Sequence, residues 1–228
     1  MNFNSFAVYR SDYPSGHPFQ LASQTLAATT ETAIKFSNGN AAIIAVPSQT
    51  AVLGSSTPMD PNANSAFSAD VYGAMSDRRG LAQRPYFTST SFDNDRPFHL
   101  RICGRGTSVA DGANSLTLNI YQGTSASVVG TAGNIVATSG AVATATAHPI
   151  GFYMDVLMAW DSVNQALYGT YSGAALFNSA TQTTIASTAL THNTAVTTYT
   201  GLSFLVSVTW GAAVGGTVVL TEMSLDQV

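Results

Sequence analysis

More than half of this chain, from Gly106 to Val228, contains no lysine or arginine, and its apolar residues repeatedly alternate with serine, threonine and glycine. Alternation with a period of two is typical of a β-strand with one buried and one exposed face. Nucleic-acid surfaces need lysine and arginine to neutralise phosphates, and peripheral membrane surfaces need them to attract anionic lipids. The pattern therefore predicts a β domain with a hydroxyl- and amide-rich surface, and argues against nucleic acid or membrane as a partner.

The alternating rows predict eight or nine strands joined by short turns. Two of these rows, 32–36 and 42–46, flank an Asn38-Gly39 turn, which favours a β-hairpin. Many short strands without intervening helices predict an all-β fold, a jelly-roll β-sandwich of antiparallel strands. The other rows lie at 98–103, 116–121, 134–138, 152–160, 167–171, 202–210 and 219–225.

Two segments lack this alternation. Residues 1–30 are polar and irregular, with Pro14, Gly16 and Pro18 close together, and are predicted to be an N-terminal arm. Residues 54–96 are rich in proline and charge, and a stretch of this length without strand pattern is typical of a functional loop or an insertion that contacts a partner. The predicted organisation is an arm, 1–30, followed by a jelly-roll domain, 31–228, that carries this insertion.

Arginine clusters in and beside the insertion. Six of the eight positive charges of the chain fall between residues 78 and 105. Such a cluster is compatible with a solvated loop, with a subunit or shell contact through arginine forks on carboxylates, or with a nucleic-acid patch. The candidate capsid or subunit contacts are Arg10, Arg78, Arg79, Arg84 and Arg96.

The sequence lacks the common catalytic signatures. There is no Gly-x-Ser-x-Gly elbow and no Gly-x-x-x-x-Gly-Lys phosphate loop, and the four histidines are far apart. Cys103 is the only cysteine, so neither an intramolecular disulfide nor a cysteine metal cage is predicted, and a reducing cytoplasm is the expected place of synthesis. Asp155 and Asp161 flank an apolar row and could serve a glycosidase, but a turn-opening Asp161 and an outward strand position for Asp155 explain them better. We expect no catalytic residue, no metal, no cofactor and no enzymatic activity.

Aromatic residues offer another kind of site. Trp160 and Trp210 end apolar rows, which favours the core or its rim over a ligand platform. Tyr168 and Tyr171 lie on opposite faces of one predicted strand, so one of them is expected to be exposed. Tyr168, Tyr171 and Trp210 are the candidate residues for a glycan contact.

Several segments resemble jelly-roll structural proteins of tailed bacteriophages. They are FHLRICGRG at 98–106, LTLNIYQGT at 116–124, AWD at 159–161, LYG at 167–169, LSFLVSV at 202–208 and LTEM at 220–223. The resemblance is to capsid decoration, or cement, proteins and covers about residues 22–228. It implies a jelly roll that assembles as a homotrimer and binds the outside of the capsid shell; residues 55–95 depart from the compact pattern.

The expected function is therefore that of a non-enzymatic virion protein. It would be made in the host cytoplasm, lie on the capsid exterior, and stabilise the phage head by bridging major capsid protein subunits. The alternative is a tail fibre or tip domain that binds host surface polysaccharide, because the same fold serves in both places.

Overall fold

The computed structural model describes residues 4–26, 30–46, 97–108, 115–143, 149–177, 181–196, 201–211 and 216–228. These residues form thirteen strands and two short 3-10 turns, at 126–128 and 132–134. The strands are β1 (Asn4–Arg10), β2 (Gln24–Leu26), β3 (Thr32–Ala33), β4 (Ile43–Ala45), β5 (Phe98–Ser108), β6 (Ser115–Gln122), β7 (Ile135–Thr138), β8 (Val142–Ala143), β9 (Pro149–Asp161), β10 (Ala166–Phe177), β11 (Thr181–Asn193), β12 (Ser203–Trp210) and β13 (Gly216–Gln227).

The strands form two antiparallel sheets. The large sheet has the order β1-β13-β5-β9-β10-β11, with β2 also paired to β13. The small sheet has the order β3-β12-β6-β7, with β4 also on β12 and β8 also on β6. The predicted all-β antiparallel sandwich is confirmed. Nine of the thirteen strands match predicted rows, and the four that do not are β1, β2, β8 and β11. β2 and β8 have only two or three residues, too few to display a period of two, β1 lies in the segment predicted to be an arm, and β11 has few apolar residues.

The core lies between the two sheets. β9 shows the pattern most clearly, since its even-numbered residues from Ile150 to Trp160 are buried and most of the residues between them are exposed. The ring centroids of Phe98 in the large sheet and Phe204 in the small sheet are 5.8 Å apart. Burial of such side chains is the main favourable contribution to folding.

The predicted N-terminal arm is wrong for residues 4–26, because this segment belongs to the sandwich. β1 and β2 both pair with β13. Tyr9, Phe19 and Leu21 are buried in the common core, and the rings of Tyr9 and Phe19 are 4.6 Å apart. The buried residues have no regular spacing because the chain turns between them, so the segment shows no periodic signal.

The predicted hairpin of 32–36 and 42–46 is present next to its turn, where Lys35 forms an antiparallel bridge with Ala41 and Ala42 N donates to Ile34 O at 2.8 Å. Phe36 N donates to Asn40 O at 2.8 Å, and Gly39 has a φ of 89° that suits glycine. The flanking strands β3 and β4, however, both pair with β12, so they run one after the other along the same edge. The residues between them leave that edge as a narrow loop.

The predicted insertion, 54–96, lies outside the described residues. In the part of the chain that the structure describes, no helix is long and apolar enough to cross a membrane.

Candidate contact surface on the large sheet

The three central strands of the large sheet present a shared outward surface. β9 pairs with β5 on one side and with β10 on the other, and the register places Arg101 and Ser172 opposite Asp155. Because side chains alternate along a strand, every second residue of these strands points away from the core. The residues that we call the outer face are His99, Arg101, Tyr153, Asp155, Leu157 and Tyr168.

Three large hydrophobic residues of the outer face are exposed. The exposed fractions are 45% for Tyr153, 41% for Leu157 and 41% for Tyr168. Among the described residues the other two exposed large hydrophobics, Val163 and Val228, lie in a turn and at the C-terminus. Tyr168 pairs with Ala159, two residues from Leu157, so Leu157 and Tyr168 are diagonal neighbours, and Tyr153 lies further along β9 on the same sheet face, about 13 Å from Leu157. Exposed apolar groups gathered in this way mark a surface that contacts another molecule.

A charged cluster lies beside these apolar residues. Asp155 Oδ1 is 3.5 Å from His99 Nε2 and 3.7 Å from Arg101 Nε. These separations allow charge attraction, yet Oδ1 is shielded from solvent and accepts no hydrogen bond from any described residue. Asp155 Oδ1 therefore lies between the side chains of His99 and Arg101 and is not itself exposed to a partner molecule.

Cys103 also lies on β5, next to this cluster. Its thiol is half-buried, and burial, with smaller contributions from Glu222 and Asp155, raises its pKa. A protonated thiol is a poor nucleophile and a poor metal ligand. Among the described residues no group of three or more His, Cys, Asp or Glu side chains is arranged to hold a metal ion.

The predicted arginine contacts are not brought to this surface by the described residues. Arg10, on β1, forms an exposed ion pair with Asp12 in which both N···O distances are 2.8 Å. In the strand order, β1 is separated from β9 by β13 and β5. Arg78, Arg79, Arg84 and Arg96 lie outside the described residues.

The three aromatic residues predicted to contact a glycan do not share a surface. Trp210 is fully buried, and Tyr171 packs against the core, so only Tyr168 is on the outer face. The prediction that Tyr168 and Tyr171 point to opposite faces is confirmed. The predicted turn role of Asp161 is also confirmed, because its Oδ1 accepts hydrogen bonds from the backbone N–H groups of Val163 and Asn164.

Tyr153 and Leu157 were not predicted as contact residues. Their signal is present in the sequence, because they occupy outward positions of the alternating row 152–160. Most outward positions of this chain hold small or hydroxyl side chains, so large apolar ones at two such positions depart from the pattern. Asp155 lies two residues from each of them on β9, so its side chain points to the same face of the sheet.

The small sheet has a polar cluster on its own outer side. Oε1 of Glu31 accepts hydrogen bonds from Asn119 Nδ2 and Tyr121 OH, both at 2.8 Å, and from Ser207 Oγ. Tyr121 is almost fully buried, and Val128 and Val129 pack over it. The donors are uncharged and already engaged, so this cluster holds the fold together rather than facing a partner.

Comparisons with known proteins add little to this picture. No protein-family model matches the chain, and no curated protein matches it. Among solved structures, a peanut lectin with a 9mer peptide (PVIWSSATG) is similar over 58% of this chain and 72% of its own, with 11% identity and a TM-score of 0.26. At that TM-score the likeness carries no functional argument.

Proposed function

We propose that this chain is a non-enzymatic virion protein that decorates the capsid of a tailed bacteriophage. In this proposal it is made in the host cytoplasm and binds the exterior of the shell, where it bridges major capsid protein subunits. The observation that carries the proposal is the outer face, where Tyr153, Leu157 and Tyr168 are exposed on the same side of the sheet as the ion pair of Arg101 and Asp155. The sequence resemblance to decoration proteins supplies the identity of the partner.

The chemistry of the outer face suits a broad protein contact. A sheet face is nearly flat, and aromatic residues supply much of the energy at protein interfaces. Binding only to the assembled lattice stabilises the lattice by mass action, and several copies on one shell add avidity. Because charged residues make up only 9% of the chain, we expect the contact to depend weakly on salt concentration.

The first test is the copy number of this chain relative to the major capsid protein in purified particles, measured by quantitative mass spectrometry. A ratio near one chain per shell subunit, or a fixed fraction such as one per local symmetry axis, is the expected result. A handful of copies per particle contradicts decoration and assigns the chain to the tail.

The second test asks whether the outer face makes the contact. We expect Leu157→Glu to lower binding to particles that lack the chain at least tenfold, since burying an unpaired carboxylate is costly. Val163→Glu is the matched control, because Val163 is also an exposed aliphatic residue, 88% accessible, but lies in the turn after β9. Equal binding by both variants would remove the outer face from the proposal.

A host-glycan contact remains the second candidate function. It is favoured by Tyr153 and Tyr168, which expose aromatic surface on the same face as the carboxylate of Asp155. Binding to surface polysaccharide that disappears in both Tyr153→Ala and Tyr168→Ala, with few copies per particle, would support this candidate instead.

A further inference from the structure

The large sheet ends in a long strand that has a neighbour on one side only among the described residues. β11 extends over thirteen residues, Thr181–Asn193, and its strand partner is β10. About half of the backbone N–H and C=O groups of an edge strand point away from its neighbour, where they form a template for another strand.

The other described edges are protected against such pairing, whereas β11 has little protection. The small sheet ends in strands of two to four residues, and β1, at the opposite edge of the large sheet, is seven residues long and carries Arg10. Short edges, charges and prolines are the usual means of preventing edge-to-edge association. β11 contains no charged residue and no proline.

One irregularity limits which part of β11 is available. Tyr171 pairs with Thr188, and Gly173 pairs with Ile185, so β11 has one extra residue at this point. A bulge of this kind bends the strand locally. Beyond it, residues 188–193 pair with 166–171 without interruption, which leaves a regular six-residue run at the edge.

We propose that residues 189–193 pair antiparallel with the same residues of a second copy of this chain, so that the two large sheets become one. Two uncharged strands meet without like-charge repulsion, whereas a charged foreign strand would find no complementary charge on β11. With a two-fold axis perpendicular to the sheet, the outward side chains of one copy lie beside the outward side chains of the other. An axis through Thr191 places the two copies of this threonine opposite each other, and Thr–Thr pairs across strands are favourable.

This contact uses the edge of the sheet and not its outer face, so it stands independently of the proposed capsid contact. It also has a distinct stoichiometry. A two-fold contact gives a dimer, whereas the resemblance to decoration proteins implies a homotrimer.

Sedimentation equilibrium of the purified chain tests the proposal. We expect twice the chain mass of 23.7 kDa for the wild type at about 0.1 mM, a concentration at which a contact with a Kd of about 1 µM is occupied. The double variant Ala189→Lys and Thr191→Lys places lysines on exposed positions of β11 and should raise the dimer Kd at least a hundredfold. The control Thr170→Lys, on the exposed side of the interior strand β10, should remain a dimer.

Hydrogen exchange gives a second measurement that does not depend on a variant. Those amides of residues 189–193 that point away from β10 should become more protected as the protein concentration rises, while those of β1 do not change. A monomer at 0.1 mM, a trimer, or a dimer that survives the two lysines would overturn the proposal. So would a dimer that Thr170→Lys dissociates, because the contact would then use the outer face.

Discussion

The hydroxyl of Tyr121 donates a hydrogen bond of 2.8 Å to Oε1 of Glu31, and this bond joins the residue before β3 to the C-terminal end of β6. Asn119 and Ser207 donate to the same oxygen. One carboxylate thus joins the edge of the small sheet to both of its central strands. Hydrogen bonds to a charged acceptor are stronger than those between neutral groups.

Replacing Glu31 should therefore destabilise the small sheet. We expect Glu31→Ala to lower the free energy of unfolding by about 1–3 kcal/mol, because three side-chain donors lose their acceptor at once. Glu31→Gln keeps an acceptor oxygen at the same place and should cost less. Denaturant unfolding measures both, and an equal loss in the two variants would mean that the acceptor does not matter.

β10 approaches β9 so closely at Gly169 that we expect a substitution of this glycine to lower the stability of the fold. A Cβ on Gly169 would lie 1.8 Å from the backbone oxygen of Leu157, on the adjacent strand β9. Gly169→Ala must therefore push β10 away from β9, and we expect it to lower the free energy of unfolding by about 1–3 kcal/mol. Gly151→Ala is the control, because a Cβ there would meet nothing within 4 Å. It should change stability by less than about 1 kcal/mol, and a similar loss in both variants would contradict the steric explanation.

The fold class was predictable because long strands with one buried face have a visible period. β9 and β12 were located from their apolar rows for this reason. Among the missed strands, β2 and β8 have only two or three residues and form because the longer strands β13 and β6 offer them backbone groups. β11 was missed although it is long, because it has few apolar residues that could display the period. The outer face was missed because apolar rows point to inward residues, whereas Tyr153 and Leu157 are informative as exceptions among outward ones.

Tyr9, in the N-terminal segment, is a core residue that an alternating pattern does not predict. Tyr9 is 1% exposed, its hydroxyl donates to the backbone oxygen of Ile43 at 2.7 Å, and its ring packs on Phe19 and Phe36. These contacts link β1 to the small sheet across the core, although the residues around Tyr9 in the sequence show no alternation of apolar and polar side chains.

Removal of residues 1–25 should consequently unfold or strongly destabilise the domain. At single-residue resolution we expect Tyr9→Ala to lower the free energy of unfolding by about 3–5 kcal/mol, as for other buried aromatic truncations. Tyr9→Phe, which removes only the hydroxyl, should cost about 1 kcal/mol. A truncated chain that unfolds at the wild-type denaturant midpoint would show that the segment is dispensable.

His192 makes stability dependent on pH. It lies on β11, is 7% exposed, and its Nε2 has no hydrogen-bond partner among the described residues. Burial lowers the pKa of His192, and a hydrogen bond with the backbone of Ile135 on β7 opposes this shift only in part. The imidazole is therefore neutral in the folded protein at pH values where the same ring in the unfolded chain is protonated.

The folded protein should lose stability as the pH falls, because the unfolded chain binds a proton at His192 more readily than the folded chain does. As the pH falls through about 6.5, the ordinary pKa of histidine, the unfolded chain takes up a proton that the buried ring resists, so the folded state loses stability. We expect the denaturant midpoint to fall between pH 7.5 and 5.5 in the wild type and to fall less in His192→Leu, even though the variant loses the bond to Ile135 at both pH values. His99→Gln, which removes an outward histidine of β5, should keep the wild-type fall. If His192→Leu is as acid-sensitive as the wild type, the protonation that destabilises the domain takes place at another group.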